Sequence, residues 1–254
     1  MTATTLVDND ATWTDNQFNP PGATVATATH FAEIITGAAT GAMIDIIGTT
    51  AATKTLTLGQ NLPAGVANGD QFKIRKHWTV GSVFGNPPPA GGLAKGDATT
   101  ADQVLIYNGA GYDIYYYLES AFGSAWVNAA DPGSNAADAK ILPEDGVIVK
   151  RQSAGAVSVV LTGAVKTGTT SVPVFSGTNI IGNVYATDMT LGSSGLFSDV
   201  AGSNGVLPGD IGVADQVLVY NGTGYDTYYY SNGGANGTVW GHEGQGTGRQ
   251  ARTR

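Results

Sequence analysis

Cysteine is absent from this chain of 254 residues, which removes disulfide frameworks, thiol nucleophiles and thiolate metal sites at once. A chain without disulfides fits the cytosol and equally fits a bacterial surface protein stabilised by other means. Histidine is almost missing. His30, His77 and His242 stand far apart, and none has the pair spacing of a zinc or Ser-His-Asp constellation. Charge is scarce at 13%, and 12 basic residues face 20 acidic ones for a net charge of −8. Such a chain is a poor match for nucleic acid, where Lys and Arg against phosphate supply most of the affinity. The basic run "RQARTR" at the end is too short to change that, so no nucleic-acid partner is expected. No run of about 18 apolar residues is present, and no membrane span is expected. The opening "MTATTLVDND" has neither the basic start nor the apolar core of a signal peptide. There is no G-x-x-x-x-G-K-[ST] loop, and no cofactor is expected.

What fills the chain is Gly (37 residues), Thr, Ala, Val and Asn. Abundant turn formers and β-branched residues predict short strands joined by tight turns, an all-β fold of small sandwich or barrel modules in tandem. The length lets roughly 70–75% of the unfolded surface be buried, enough for one large or two to three small cores. Residues 1–76 read as an N-terminal β module. Strand-like runs cover His30–Gly37 and Gly41–Thr50, separated by a Gly-flanked turn. "KTLTLGQ" (Lys54–Gln60) alternates with period two, and so does "QFKIRK" (Gln71–Lys76). Gly85–Thr100, rich in Pro and Gly, reads as a long surface loop or linker.

"ADQVLIYNGAGYDIYYY" (Ala101–Tyr117) then returns as "ADQVLVYNGTGYDTYYY" (Ala214–Tyr230), with 14 of 17 residues identical. Each copy predicts a hairpin around Asn-Gly, which accepts positive φ cheaply. "WTVGSVF" (Trp78–Phe84) is echoed by "MTLGSSGLF" (Met189–Phe197), and Trp126 by Trp240. Further strands are expected at Gly146–Gln152, Ala156–Gly163 and Thr169–Gly177, the last an edge strand because of Pro173. The organisation read from this is a first repeat unit at 77–187, a second and shortened one at 188–240, and a tail at 241–254. Nothing after Trp240 matches the strands at 146–163, so the second copy is expected to leave a sheet edge for something else to cover. A strand from a neighbouring molecule would give a head-to-tail, non-closing contact and hence a fibre.

Tyrosine is the main candidate for contact chemistry. Period two places Tyr112, Ile114 and Tyr116 on one face and Asp113, Tyr115 and Tyr117 on the other, with Tyr225, Thr227 and Tyr229 opposite Asp226, Tyr228 and Tyr230 in the second copy. Sheet packing, a subunit interface and stacking on sugar rings all use tyrosine in this way. The candidates for assembly or glycan contact are Tyr112, Tyr115, Tyr117, Tyr225, Tyr228, Tyr230, Trp126 and Trp240. Acidic turns, Asp8 and Asp10 foremost, are weak calcium candidates without the D-x-[DN]-x-[DN]-G pattern, and turn chemistry explains them as well. Asn221 and Asn236 open Asn-Gly-Thr sequons. The adjacent Glu144 and Asp145 are read as pointing to opposite faces of a strand, a poor geometry for acid/base work, so no enzyme is expected.

Two resemblances add to this. "DNDATWTDNQF" followed by "AEIITGAATGAMIDIIGTTAATKTLTLGQNLPAGVANGDQFKI" looks like a β module of phage tail and bacterial surface proteins. "DNDATWTDNQF", "HWTVGSVFG", "ADQVLIYNG", "GVIVKRQ", "NIIGNVYATDMTL" and the second "ADQVLVYNG" resemble, in that order, an uncharacterised family of secreted all-β proteins of Verrucomicrobia and their relatives. That likeness implies export and an all-β fold, with no established activity. Against the family pattern the chain lacks a leader and a preceding β region, and a truncated start is expected. The combined expectation is a structural subunit of an extracellular filament or cell-surface assembly, a homo-oligomer or polymer of itself. The alternative is a glycan-binding module whose partner is a cell-surface polysaccharide.

Overall fold

A computed structural model describes residues 3–159, 166–185, 187–198, 205–233 and 238–243. The chain is all-β, built of antiparallel sheets. It divides into two compact units, Met1–Val184 and Tyr185–Arg254.

In the first unit, β1 (Thr5–Val7), β2 (His30–Ile34), β3 (Met43–Thr50), β4 (Thr55–Leu58) and β5 (Phe72–Lys76) form one five-stranded sheet in the order β1-β4-β3-β2-β5. The period-two reading of "TLTL" holds: Leu56 and Leu58 are buried while Thr55 and Thr57 are half-buried. They join Leu6, Ala32, Ile34, Ile44 and Ile46 in one core. Fully burying each such aliphatic side chain stabilises by about 1.5–3 kcal/mol. Gly37 and Gly41 take φ of 80° and 95° in the β2–β3 turn, a conformation that a residue with a Cβ rarely adopts.

The alternate face of this sheet carries charge. Glu33 is buried, and Arg75 and Lys166 both pair with its carboxylate. Burial pushes that carboxyl up, but the Lys166 and Arg75 hydrogen bonds and charges outweigh it and hold it below its ordinary value. Asp45 accepts hydrogen bonds from His77 Nε2 at 2.6 Å and Lys140 Nζ at 2.9 Å. Burial raises it and these two partners lower it, with the net shift downward. Lys140 and Lys166 lie beyond residue 76. The expected boundary there therefore separates two sheets within one compact unit.

Next come β6 (Trp78–Thr79) and the one-turn helix α1 (Val80–Phe84), then β7 (Gln103–Tyr107), β8 (Tyr112–Ser120) and β9 (Gly123–Asn128). After them are β10 (Lys140–Ile141), paired with β6, and β11 (Val147–Lys150). The main sheet here has the order β11-β7-β8-β9. Thr79 caps α1: its hydroxyl accepts from Ser82 N at 3.2 Å, and Ser82 Oγ accepts from Thr79 N at 2.7 Å.

In the second unit, the sheet is β12 (Gln216–Tyr220), β13 (Tyr225–Asn232) and β14 (Thr238–His242), in that order. It is preceded by a 3₁₀ turn, Leu191–Ser193, which Thr190 caps with the same reciprocal pair to Ser193. The echo of "WTVGS" in "MTLGS" is thus a repeated capping box.

Two expectations change. Residues 156–159 and 169–177 carry no ladder, although their β-branched residues read as strands. Alternation describes a side-chain surface without supplying a neighbour, and Pro173 removes a donor. Residues 160–163 of the former stretch lie outside the described residues. β14 also continues to His242, two residues into the expected tail.

Candidate functional site

The repeated sequence is repeated architecture. Asp102 and Asp215 precede β7 and β12, and each uses Oδ2 to accept from a backbone N–H eight residues earlier, Ala94 N or Leu207 N, both at 2.8 Å. Asn108 and Asn221 each accept two turn N–H groups on Oδ1, and each donates from Nδ2 to an aspartate, Asp113 or Asp226. Tyr107 and Tyr220 donate their hydroxyls to Gly109 O and Gly222 O. Trp126 pairs with Tyr117 across β8–β9 and Trp240 with Tyr230 across β13–β14, with rings edge-on at 5.8 and 5.3 Å. The identical residues are those that build the hairpin and its loop.

The surroundings of the two copies differ. In the first, β11 pairs along β7 from Val147–Ile106 to Lys150–Gln103. Just beyond it, Asp102 Oδ1 accepts from Gln152 N at 2.8 Å, and Arg151 Nε lies 2.7 Å from Oδ2 as an ion pair. Asp102 is fully buried. Burial raises its carboxyl, and the Ala94, Gln152 and Ser153 N–H groups with Arg151 bring it below the ordinary value. In the second copy, no strand pairs with the outer edge of β12 among the described residues, and Asp215 is exposed. Leu218 is 54% and Tyr220 63% exposed, where Leu105 and Tyr107 are half-buried. The result is an open, partly apolar strand edge.

The tyrosine and tryptophan candidates separate by burial. Tyr115, Tyr117 and Trp126 lie in a core with Val80, Phe84, Val104 and Ile106, and Trp126 Nε1 donates to Gly85 O at 2.7 Å. Their rings are closed over by the chain itself. They are corrected from contact residues to packing residues, because α1 and its following loop cover the face that alternation alone leaves unassigned. Tyr228 is also buried, edge-on to His242. Tyr230 and Trp240 are half-buried, and Tyr230 stacks on Phe197. Tyr112 and Tyr225 remain exposed, at 39% and 60%. Each makes an edge-on pair with a residue that alternation did not single out, Tyr107 or Tyr220.

The other candidates form no site. Asp8 accepts from Asp10 N within a turn, and no group of three or more metal-ligating side chains comes together among the described residues. Asn221 is engaged in its turn, and Asn236 lies outside the described residues. Glu144 and Asp145 sit in a turn before β11, and burial raises both carboxyls. Glu144 Oε2 is buried without a hydrogen-bond partner. No described helix is long and apolar enough to cross a membrane. A cleft of about 820 Å³ opens beside Trp78, Thr27, Asn86, Asp138 and Lys140. In the sequence "HWTVGSVFG" stands as an echo of the second copy and as part of the family resemblance, and gives no sign of this cleft. No protein-family model, curated protein or solved structure matches this chain.

Proposed function

We propose that the chain is a structural subunit of an extracellular filament or cell-surface assembly, joined by strand pairing and tyrosine-rich contacts between copies. One observation carries this reading. Two nearly identical strands, β7 and β12, differ in that β11 covers the first and nothing among the described residues covers the second. Open edges with exposed apolar side chains are templates for another strand. Tyr220 and Tyr225 stand exposed beside that edge and offer rigid contact area. Light scattering across a concentration series, with electron micrographs of the same samples, tests the reading. Growing or fibrous particles with joints of about 2,000 Å² or more support it, and a monodisperse monomer at high concentration removes it.

A second reading has its own support. Trp78 is 46% exposed at the cleft, with Asn86, Asp138 and Lys140 alongside as hydrogen-bonding groups. An aromatic platform with polar neighbours is the chemistry of a sugar-binding cleft. Retardation in a polysaccharide affinity gel that disappears in Trp78→Ala would support a glycan-binding module. Unaltered mobility in a panel of surface polysaccharides would eliminate it.

A further inference from the structure

If copies join by strand pairing, two complementary edges must meet. β11 is itself an edge strand: its inner side pairs with β7, and its outer side has no ladder partner among the described residues beyond the single Asp145–Ile181 bridge at its start. Val147, Ile148 and Val149 are 36–38% exposed along it. β12 is the other open edge, with the sequence Gln-Val-Leu-Val-Tyr. That is β7's Gln-Val-Leu-Ile-Tyr with one methylene removed.

From these two open edges we infer that the outer edge of β11 in one copy pairs with the outer edge of β12 in the next, forming one continuous sheet across the joint. The inference rests on the filament reading and names its joint. Neither edge has a ladder partner among the described residues, and both carry exposed apolar side chains, Val147, Ile148 and Val149 on one and Leu218 and Tyr220 on the other.

Charge fixes the direction. Backbone amides alternate between the two sides of a strand. With Ile148 and Lys150 bonded to β7, the outward amides of β11 are those of Val147 and Val149, and those of β12 are Gln216, Leu218 and Tyr220. Antiparallel pairing then sets Val149 opposite Gln216, Val147 opposite Leu218 and Lys150 opposite Asp215. Lys150 and Asp215 are both exposed. Asp102, the counterpart of Asp215, already meets Arg151 at the same end of β11. The two edges are different surfaces, and each copy carries one of each, so the contact is heterologous and leaves a free edge at each end for the next copy.

The test uses full-length chains with one edge blocked at a time, followed by sedimentation velocity. Leu218→Lys puts a charge in the β12 edge, and Ile148→Lys puts one in the β11 edge. The native chain is expected to form species that grow with concentration, and each variant alone to stay monomeric. An equimolar mixture of the two should give one-to-one dimers and nothing larger, since one intact pair of edges remains. Dimer formation also shows that both variants are folded. Should Ile148→Lys disturb its sheet, the surface pair Lys150→Asp and Asp215→Lys replaces it, each weakening assembly alone and restoring it when combined. If Ile148→Lys still assembles while Leu218→Lys does not, or if the mixture stays monomeric, this joint is wrong although the filament reading stands. A native chain that remains monomeric removes both.

Discussion

The chain presents one hairpin design in two settings, and the contrast separates what a sequence repeat encodes from what its context adds. Both copies close the same turn with Asn108 or Asn221 and the same upstream loop with Asp102 or Asp215. The first is covered on its β7 edge by β11 and on its face by α1, so its Tyr115, Tyr117 and Trp126 form a core. In the second, no strand among the described residues pairs with the β12 edge, and of the equivalent aromatics Tyr228 is buried while Tyr230 and Trp240 are half-buried. Identity between the copies marks local hairpin chemistry, and their difference lies in what packs around it.

The largest expected effect comes from the tryptophans. Trp126→Ala should cost about 3–5 kcal/mol, the usual range for emptying a buried aromatic site, whereas Trp240→Ala at its half-buried position should cost much less. Calorimetric melting of the two variants measures the gap, and equal losses would contradict the difference in packing. Next is the aspartate pair. Asp102→Ala strips a buried carboxylate from Arg151 and from three backbone N–H groups and should cost about 3 kcal/mol. Asp215→Ala, exposed and holding one loop N–H, should cost about 1 kcal/mol.

A smaller contrast appears with pH. Glu33, Asp45 and Asp102 have folded values below the ordinary range, so their contribution is complete above about pH 4 and is lost as pH falls through those lower values. All three lie in the unit Met1–Val184, which should lose stability on acidification. Glu144 has the opposite sign. Its raised value means that its contribution is complete below the ordinary carboxylate value and is lost as pH rises through the folded one. Glu144→Gln should therefore raise the melting temperature at neutral pH and change nothing near pH 3. The smallest effect tests equivalence between the copies. Thr79→Ala and Thr190→Ala remove the same capping box and should each cost about 1 kcal/mol. Circular dichroism melts that differ sharply between them would show that the two turns are not equivalent.

Much of the fold is legible in the residues themselves. Thr-Leu alternation in β4, the Gly37 and Gly41 turn, and the Asn-Gly hairpins follow from local chemistry, so they appear where periodicity and turn residues place them. Burial is less legible. Alternation assigns Tyr115 and Tyr117 to a common face, but nothing in those residues says that Phe84 and the Gly85 carbonyl will close over Trp126. Long-range ion clusters leave no local trace at all: Lys166 reaches Glu33 from 133 positions away. The stretch "SVPVF" shows the opposite failure, a strand-like surface with no ladder to join. For the candidate site, the prospect of an uncovered edge in the second copy could be read from the repeat. Its position on β12, and the choice of Leu218 and Tyr220 over Tyr228 as exposed residues, required the register.

Hydrogen–deuterium exchange of β7 and β12, followed from dilute to concentrated protein, tests the central contrast most directly. The outward amides of β12 should exchange much faster than those of β7 in dilute solution, then slow to a similar rate as concentration rises while β7 stays unchanged. Protection of β12 equal to that of β7 at the lowest concentration, or no change on concentrating, would contradict it.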